Sequence, residues 1–334
     1  MASRHSVKDM SLVYKILGKD LTPEEARAIF QKALEIVAEQ IGTSLPYAID
    51  INGPETKISR LLKKEVHYFL AQQIIKNPDL LDEIYTNLIP QQYRRHYGQF
   101  LTPHKIAKFM SNWLISKGAR KILDPGVGTG VFLSQIYQAV EDKENLRMTG
   151  IDIDPLMLNS TFIRLKLLGM NTENLQLLKE DFLLWNSEEQ FDAIICNPPY
   201  IKFHGFNREV IKKVSSEFNI SLSQLTNIYA LFFVRAVKFV KPQGLLAFIT
   251  PSEFLYTGYG QVLKKFILEN YKIEALILVG LQKEVFEKAM TTALITFLVN
   301  DKTEKSHKVK FVNLENNYHE IPDRLEELEP VTEV

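Results

Sequence analysis

Cysteine is nearly absent. Cys196 is the only one among 334 residues, so neither a disulfide framework nor a cysteine-built zinc site can form within the chain. Charge of one sign is not in excess either: 40 Lys and Arg balance 40 Asp and Glu. No global positive field steers a polyanion in, which leaves only a local basic groove to do so. No apolar run approaches the roughly 18–20 residues of a membrane span, and the amino terminus lacks a signal peptide's apolar stretch. A soluble, cytoplasmic protein with no membrane partner is expected. Internal repeats and low-complexity stretches are missing, and so is the G-x-x-x-x-G-K pattern of a phosphate loop, which argues against ATP hydrolysis. What is there is ordinary for a globular chain: 46% apolar and 24% charged residues. The length suits one large α/β domain plus an appendage, or two modest domains.

The first ninety-odd residues read as helices. Thr22-Pro23-Glu24-Glu25 combines a capping hydroxyl, proline at the first helical position and acids at the positive dipole end. Ala26, Ile29, Phe30, Ala33, Leu34, Val37 and Ile41 then recur along one face until Gly42 stops the run. Further helices are predicted over 58–75 and 78–88, and this segment carries no obvious chemistry. From about Gly118 short apolar strands alternate with helices. Seven strands are predicted: 121–124, 148–152, 175–178, 191–196, 245–250, 273–279 and 292–299. Helices are predicted over 131–140, 155–168, 226–240 and 260–270. This alternation predicts a mainly parallel sheet with helices on both faces, and a ligand site outside the carboxyl ends of its strands.

Asp124-Pro125-Gly126-Val127-Gly128-Thr129-Gly130 leaves a strand and enters a helix, and its glycines allow close backbone approach to a ligand. Alone, such a turn serves a dinucleotide, a nucleoside, or no ligand at all. Asp152, at the end of the second strand, is placed to accept both hydroxyls of a ribose. Asp181-Phe182, at the end of the third, offers an acceptor for an exocyclic amino group and a ring to cover an adenine. Together the three strand ends point to a nucleoside site. The acid leading the glycine turn is unfavourable beside a pyrophosphate and favourable beside a cation. S-adenosylmethionine, with its sulfonium and ammonium, therefore fits better than a nicotinamide dinucleotide.

Strand four ends in Asn197-Pro198-Pro199-Tyr200. The asparagine carbonyl and the backbone carbonyl of Pro198 can accept from one amino group, proline adds no N–H of its own, and Tyr200 can stack on a ring. Two acceptors on an aromatic amine would turn its lone pair toward a methyl donor. Cys196 reads as a small apolar strand residue. Lys202, His204 and Arg208, with Lys212 and Lys213, follow this turn as either a DNA-contacting loop or a solvated basic stretch.

Over residues 93–300 the sequence resembles the DNA amino-methyltransferases, in particular the gamma class that makes N6-methyladenine. Gly98 to Pro103 is similar to that class's leading motif, Asp124 to Gly130 to its glycine motif, and Asn197 to Tyr200 to its catalytic tetrapeptide. Segments 227–229, 241–244 and 249–252 follow in the class's order. The resemblance implies a Rossmann-like fold with S-adenosylmethionine as cofactor and no metal. It implies cofactor contacts from Thr102 (near the methionine carboxylate), Asp124, Gly126, Gly128, Gly130, Asp152, Asp181 and Phe182. Catalysis is implied for Asn197, Pro198 and Tyr200 on an adenine flipped out of double-stranded DNA, with the base held between Tyr200 and Phe286.

The organisation expected is a helical domain over 1–92, a catalytic domain over 93–305, and an acidic, solvated or partner-facing tail or connector over 306–334. Such a tail has no means of reading base edges. A specificity subunit or a further domain is therefore expected to supply recognition, as in restriction–modification systems. Two alternatives remain from the residues: methylation of protein glutamine or RNA by the same tetrapeptide, and a non-catalytic methyltransferase-like subunit.

Overall fold

The computed structural model describes residues 21–49, 57–200, 208–221, 227–281, 291–301, 308–314, 318–330 and 332–333. Helix α1 (Pro23–Gln40) begins on a reciprocal capping box: the Thr22 hydroxyl accepts from the Glu25 N–H and the Glu25 carboxylate from the Thr22 N–H. Its apolar face (Ala26, Ile29, Phe30, Ala33, Leu34, Val37) is buried. Helices α2 (Lys57–Lys76), α3 (Leu80–Leu88) and α4 (Gln91–His96) follow. Helix α5 (His104–Ser116) leads into the sheet.

The sheet alternates with helices as the periodicity predicts. It runs through β1 (Lys121–Pro125), α6 (Val131–Ala139), β2 (Arg147–Asp152), α7 (Pro155–Leu167), β3 (Leu175–Lys179) and β4 (Phe191–Cys196). It continues through α8 (Arg208–Glu217), α9 (Ile228–Ala236), β5 (Val240–Pro251), α10 (Gly258–Asn270), β6 (Lys272–Leu281) and β7 (Thr291–Val299). Helix α9 stops four residues short of the predicted Val240, because Val240 pairs with Phe191 and already belongs to β5. The strand order is β3-β2-β1-β4-β5-β7-β6, and it is parallel except for β7, which runs antiparallel to both neighbours. The order reverses between β1 and β4, so the carboxyl ends of β1, β2, β3 and β4 flank one crevice. One face of the sheet packs on α5 and α6, the other on α8, α9 and α10.

Two more strands extend the seven expected: β8 (Lys310–Leu314), parallel to β6, and β9 (Thr332–Glu333), antiparallel to β8. This corrects the expectation of a solvated tail. Tyr318, Ile321, Leu325 and Leu328 are buried in the core, while Glu320, Asp323, Glu326, Glu327 and Glu329 between them face outward. Three residues of α5 tie the segment down: Lys105 donates to the His319 carbonyl, Lys108 to the Asp323 carboxylate and Asn112 to the Asp323 carbonyl.

The helical region shares a core with the sheet region. Leu156, Met157 and Ile163 of α7 join the cluster of α1, α2 and α3, while Leu158 and Leu165 of the same helix join the sheet's cluster. Helix α7 is thus apolar around most of its circumference because both sides are covered. No described helix is long and apolar enough to cross a membrane.

Candidate active site

The glycine turn is laced onto β2. The N–H groups of Gly126 and Val127 both donate to the Ile151 carbonyl, at 2.7 and 2.9 Å, and the Gly128 N–H donates to Asp152 Oδ2 at 3.0 Å. Gly126, Gly128 and Gly130 have φ of +79°, +55° and +80°, a region that L side chains rarely adopt. A Cβ on Gly130 would also lie 2.8 Å from Thr161, whose hydroxyl donates to the Gly128 carbonyl.

Gly126 and Gly128 line a cavity of about 390 Å³ together with Asp152, Asp181, Phe182 and Asn197, a volume within the range of small-molecule sites. Six of the predicted site residues thus meet on one wall system. The Asp152 carboxylate accepts one backbone N–H on each oxygen, from Gly128 and from Asp154 at 2.9 Å, which leaves lone pairs for two ligand hydroxyls. Burial, then the charge of Asp154, pushes its pKa up to about 7. Asp181 accepts from the Leu183 N–H at 2.9 Å, and burial raises its pKa too. Phe182 is buried, its ring tilted at 45° and 49° to those of Phe232 and Phe239.

Asp124 is fully buried behind the glycine turn, and neither carboxylate oxygen has a hydrogen-bond partner among the described residues. Burial and the nearby Asp152 push its pKa well above the carboxylate range. A cation or a donor would relieve that acid.

Asn197 Nδ2 donates to the Phe100 carbonyl and to Thr102 Oγ, both at 2.9 Å. Its Oδ1 is buried and has no partner among the described residues. Tyr200 stacks on Phe100 with ring centroids 5.3 Å apart, and its hydroxyl donates to the Ile249 carbonyl at 3.2 Å. Pro199 lines the cavity; Thr102, Asp124, Gly130, Pro198 and Tyr200 are not among its lining residues. The Cys196 thiol donates to the Pro125 carbonyl at 2.8 Å, and burial pushes its pKa up, as befits a strand residue. Lys202, His204 and Phe286 lie outside the described residues; Arg208 opens α8, and its side chain is likewise outside them.

Several wall residues gave no sequence signal. Arg27 of α1 reaches the cavity and grips Asp154 with two bonds of 2.6 and 2.8 Å. Tyr93 and Tyr97 join it. Ile153, directly after the strand-end acid, is 62% exposed and lines the cavity, an apolar platform suited to a nucleobase face. Asp82 of α3 ties the helical region to the glycine turn: it accepts from the Thr129 hydroxyl, from Arg164 at 2.8 Å and from His104 at 2.8 Å.

A model of the N-6 DNA methylase family matches residues 76–332. The chain belongs to that family. The curated relative M.AccI, a type II methyltransferase of Acinetobacter calcoaceticus, is 29% identical over 248 residues, covering 74% of this chain and 44% of the relative. The chain therefore spans less than half of that relative's length. Among solved structures, a Listeria monocytogenes protein described as a class I S-adenosylmethionine-dependent methyltransferase is similar in fold, with a TM-score of 0.65, 18% identity and 94% of both chains covered. The methyltransferase subunit of a type I restriction–modification system from Streptococcus thermophilus gives a TM-score of 0.63 at 18% identity, covering 96% of this chain and 75% of the other.

S-adenosylmethionine is the cofactor that this N-6 DNA methylase fold implies, and the residues present fit it. The Asp152 carboxylate suits a ribose diol, Asp181 an amino group, Ile153 and Phe182 a purine, and the unpartnered acid Asp124 a cationic group. Among the described residues no cluster of three or more His, Cys, Asp or Glu could hold a metal ion.

Proposed function

We propose that this chain is the catalytic part of a DNA methyltransferase that modifies the N6 amino group of adenine in double-stranded DNA within a restriction–modification system. The observation that carries the reading is the Asn197 amide: it lines the cavity, its NH2 end is engaged, and its carbonyl oxygen is buried with no partner among the described residues. A buried acceptor without a donor costs stability in the free protein, and a ligand amine would supply that donor.

Asp152 would hold the cofactor's ribose and Asp181 and Phe182 its adenine, while Asp124, buried behind the glycine turn, would favour its cationic end through charge. S-adenosylmethionine supplies an electrophilic methyl group on a sulfonium. Asn197 Oδ1 and the Pro198 carbonyl accept the two hydrogens of the target amine and turn its lone pair toward that methyl. No side chain has to remove a proton first: the amine would become acidic only as the N–C bond formed and the sulfonium C–S bond broke to leave a neutral thioether, and its proton would then pass to solvent. Orientation and preplaced acceptors do most of the work. The target base leaves the duplex at a cost of a few kcal/mol, and stacking on Tyr200 and on Phe286 returns roughly 1–3 kcal/mol per ring. Lys202, His204 and Arg208 contact the DNA backbone. Sequence recognition comes from a further domain or a specificity subunit, in keeping with M.AccI, which is more than twice as long as the segment matched.

Labelled methyl transfer from S-adenosylmethionine to unmethylated DNA tests the reading, with the specificity component present and absent. Wild type is expected to label DNA and Asn197→Ala to label none. Label appearing in RNA or protein but never in DNA would overturn it, and a wild type as inert as the variant would make the chain a non-catalytic subunit.

A further inference from the structure

We propose that Thr102 is a positioning residue: together with the Phe100 carbonyl, its hydroxyl oxygen fixes which way the Asn197 amide faces. The inference rests on the reading of Asn197 as the acceptor for the target amine. An amide has a donor end and an acceptor end of nearly equal size, so only its partners decide between two orientations. Here the decision is unambiguous. The Phe100 carbonyl can only accept, and it lies 2.9 Å from Asn197 Nδ2. Turning the amide over would set two carbonyl oxygens against each other. Thr102 Oγ, also at 2.9 Å, takes the second hydrogen of the same NH2 group. With both hydrogens engaged, Oδ1 is left buried with no donor among the described residues.

The whole segment from Gly98 to Thr102 is moulded onto the catalytic turn. Besides the two bonds to Asn197, the Tyr200 N–H donates to the Gly98 carbonyl at 3.3 Å, and the Phe100 ring stacks on Tyr200. Thr102 itself is 5% exposed and stands off the cavity wall, which Gly98, Gln99, Phe100 and Leu101 line. Its hydroxyl oxygen there serves the Asn197 amide directly. A hydroxyl that accepts from Nδ2 keeps its own hydrogen to donate elsewhere, so occupation of the cavity can reinforce the same arrangement.

Thr102→Val keeps the shape and removes the oxygen, and Thr102→Ser keeps the oxygen. In the full chain labelled with 15N-asparagine, the Asn197 side-chain signal is assigned by its disappearance in Asn197→Asp. Its amide hydrogens are expected to exchange slowly in wild type, roughly ten-fold faster in Thr102→Val, and slowly again in Thr102→Ser. Single-turnover transfer to DNA at saturating S-adenosylmethionine is expected to fall roughly ten-fold in Thr102→Val and to recover in Thr102→Ser. Asn197 hydrogens that exchange in wild type as fast as those of an exposed asparagine would overturn the proposal. So would a Thr102→Val variant with weakened cofactor binding but an unchanged saturated rate, which would make Thr102 a cofactor ligand only. A protected, Thr102-dependent Asn197 amide in a chain that methylates no DNA would uphold the positioning and defeat the reading of the substrate.

Discussion

Folding buries Asp152 beside Asp154 and pushes its pKa from 3.8 to about 7. The folded protein therefore holds that proton more tightly than the unfolded chain. Ionising Asp152 subtracts stability progressively as pH rises from about 4 to about 7, and the cost is fully present above that window. In the proposed site, ribose hydroxyls would donate to the ionised carboxylate, so cofactor binding is expected to tighten as pH rises through about 7. Calorimetric Kd values for S-adenosylmethionine at pH 6 and pH 8 check this; Asp152→Asn should remove most of the difference, and an equal slope in that variant would contradict it. At Gly130, alanine meets both a φ of +80° and a contact of 2.8 Å with Thr161. Gly130→Ala is expected to cost about 1–3 kcal/mol in urea unfolding. The acids Asp124, Asp152 and Asp181 and the tetrapeptide at Asn197 were readable in the sequence because each sits at a strand end, where chain order alone places it at the crevice. Arg27 and its pairing with Asp154 were not readable. Arg27 comes from a helix nearly a hundred residues before β1, and only tertiary packing brings it to Asp154.

Helices α3 and α7 meet at one ion pair. Burial works to raise the pKa of Asp82, yet the Arg164 charge and the hydrogen bonds of His104 and Thr129 hold it at about 2. This contribution is present above an ordinary carboxylate pKa near 4 and is lost as pH falls through about 2. The Arg164 side chain is fully buried, so Asp82→Ala strands a charge away from water and is expected to cost about 3–5 kcal/mol. Denaturant titration measures the loss; adding Arg164→Met should recover most of it, and a variant that stays destabilised would place the loss in the glycine turn through Thr129. Periodicity located both helices, but a lone aspartate on an amphipathic helix reads as a solvated acid.

Over the whole molecule, seven strands were legible because each is an apolar run bounded by turn residues. The extension of the sheet by β8 and β9 was not. Tyr318, Ile321, Leu325 and Leu328 are spaced three or four apart among acids, so their composition reads as charged while their spacing covers the sheet edge. Leu325→Ala with Leu328→Ala is expected to cost about 2 kcal/mol per site, measured by guanidinium unfolding; a loss near zero would mean that the segment is held by its polar ties to α5 instead. The balanced charge of the chain, 40 against 40, accords with the proposal that a further domain or subunit supplies much of the grip on DNA. The central claim concerns which atom receives the methyl group. Mass spectrometry of nucleosides from unmethylated DNA incubated with S-adenosylmethionine, the chain and its specificity component tests it most directly. The account predicts N6-methyladenine from wild type and none from Asn197→Ala; methylcytosine, or N6-methyladenine undiminished in the variant, would contradict it.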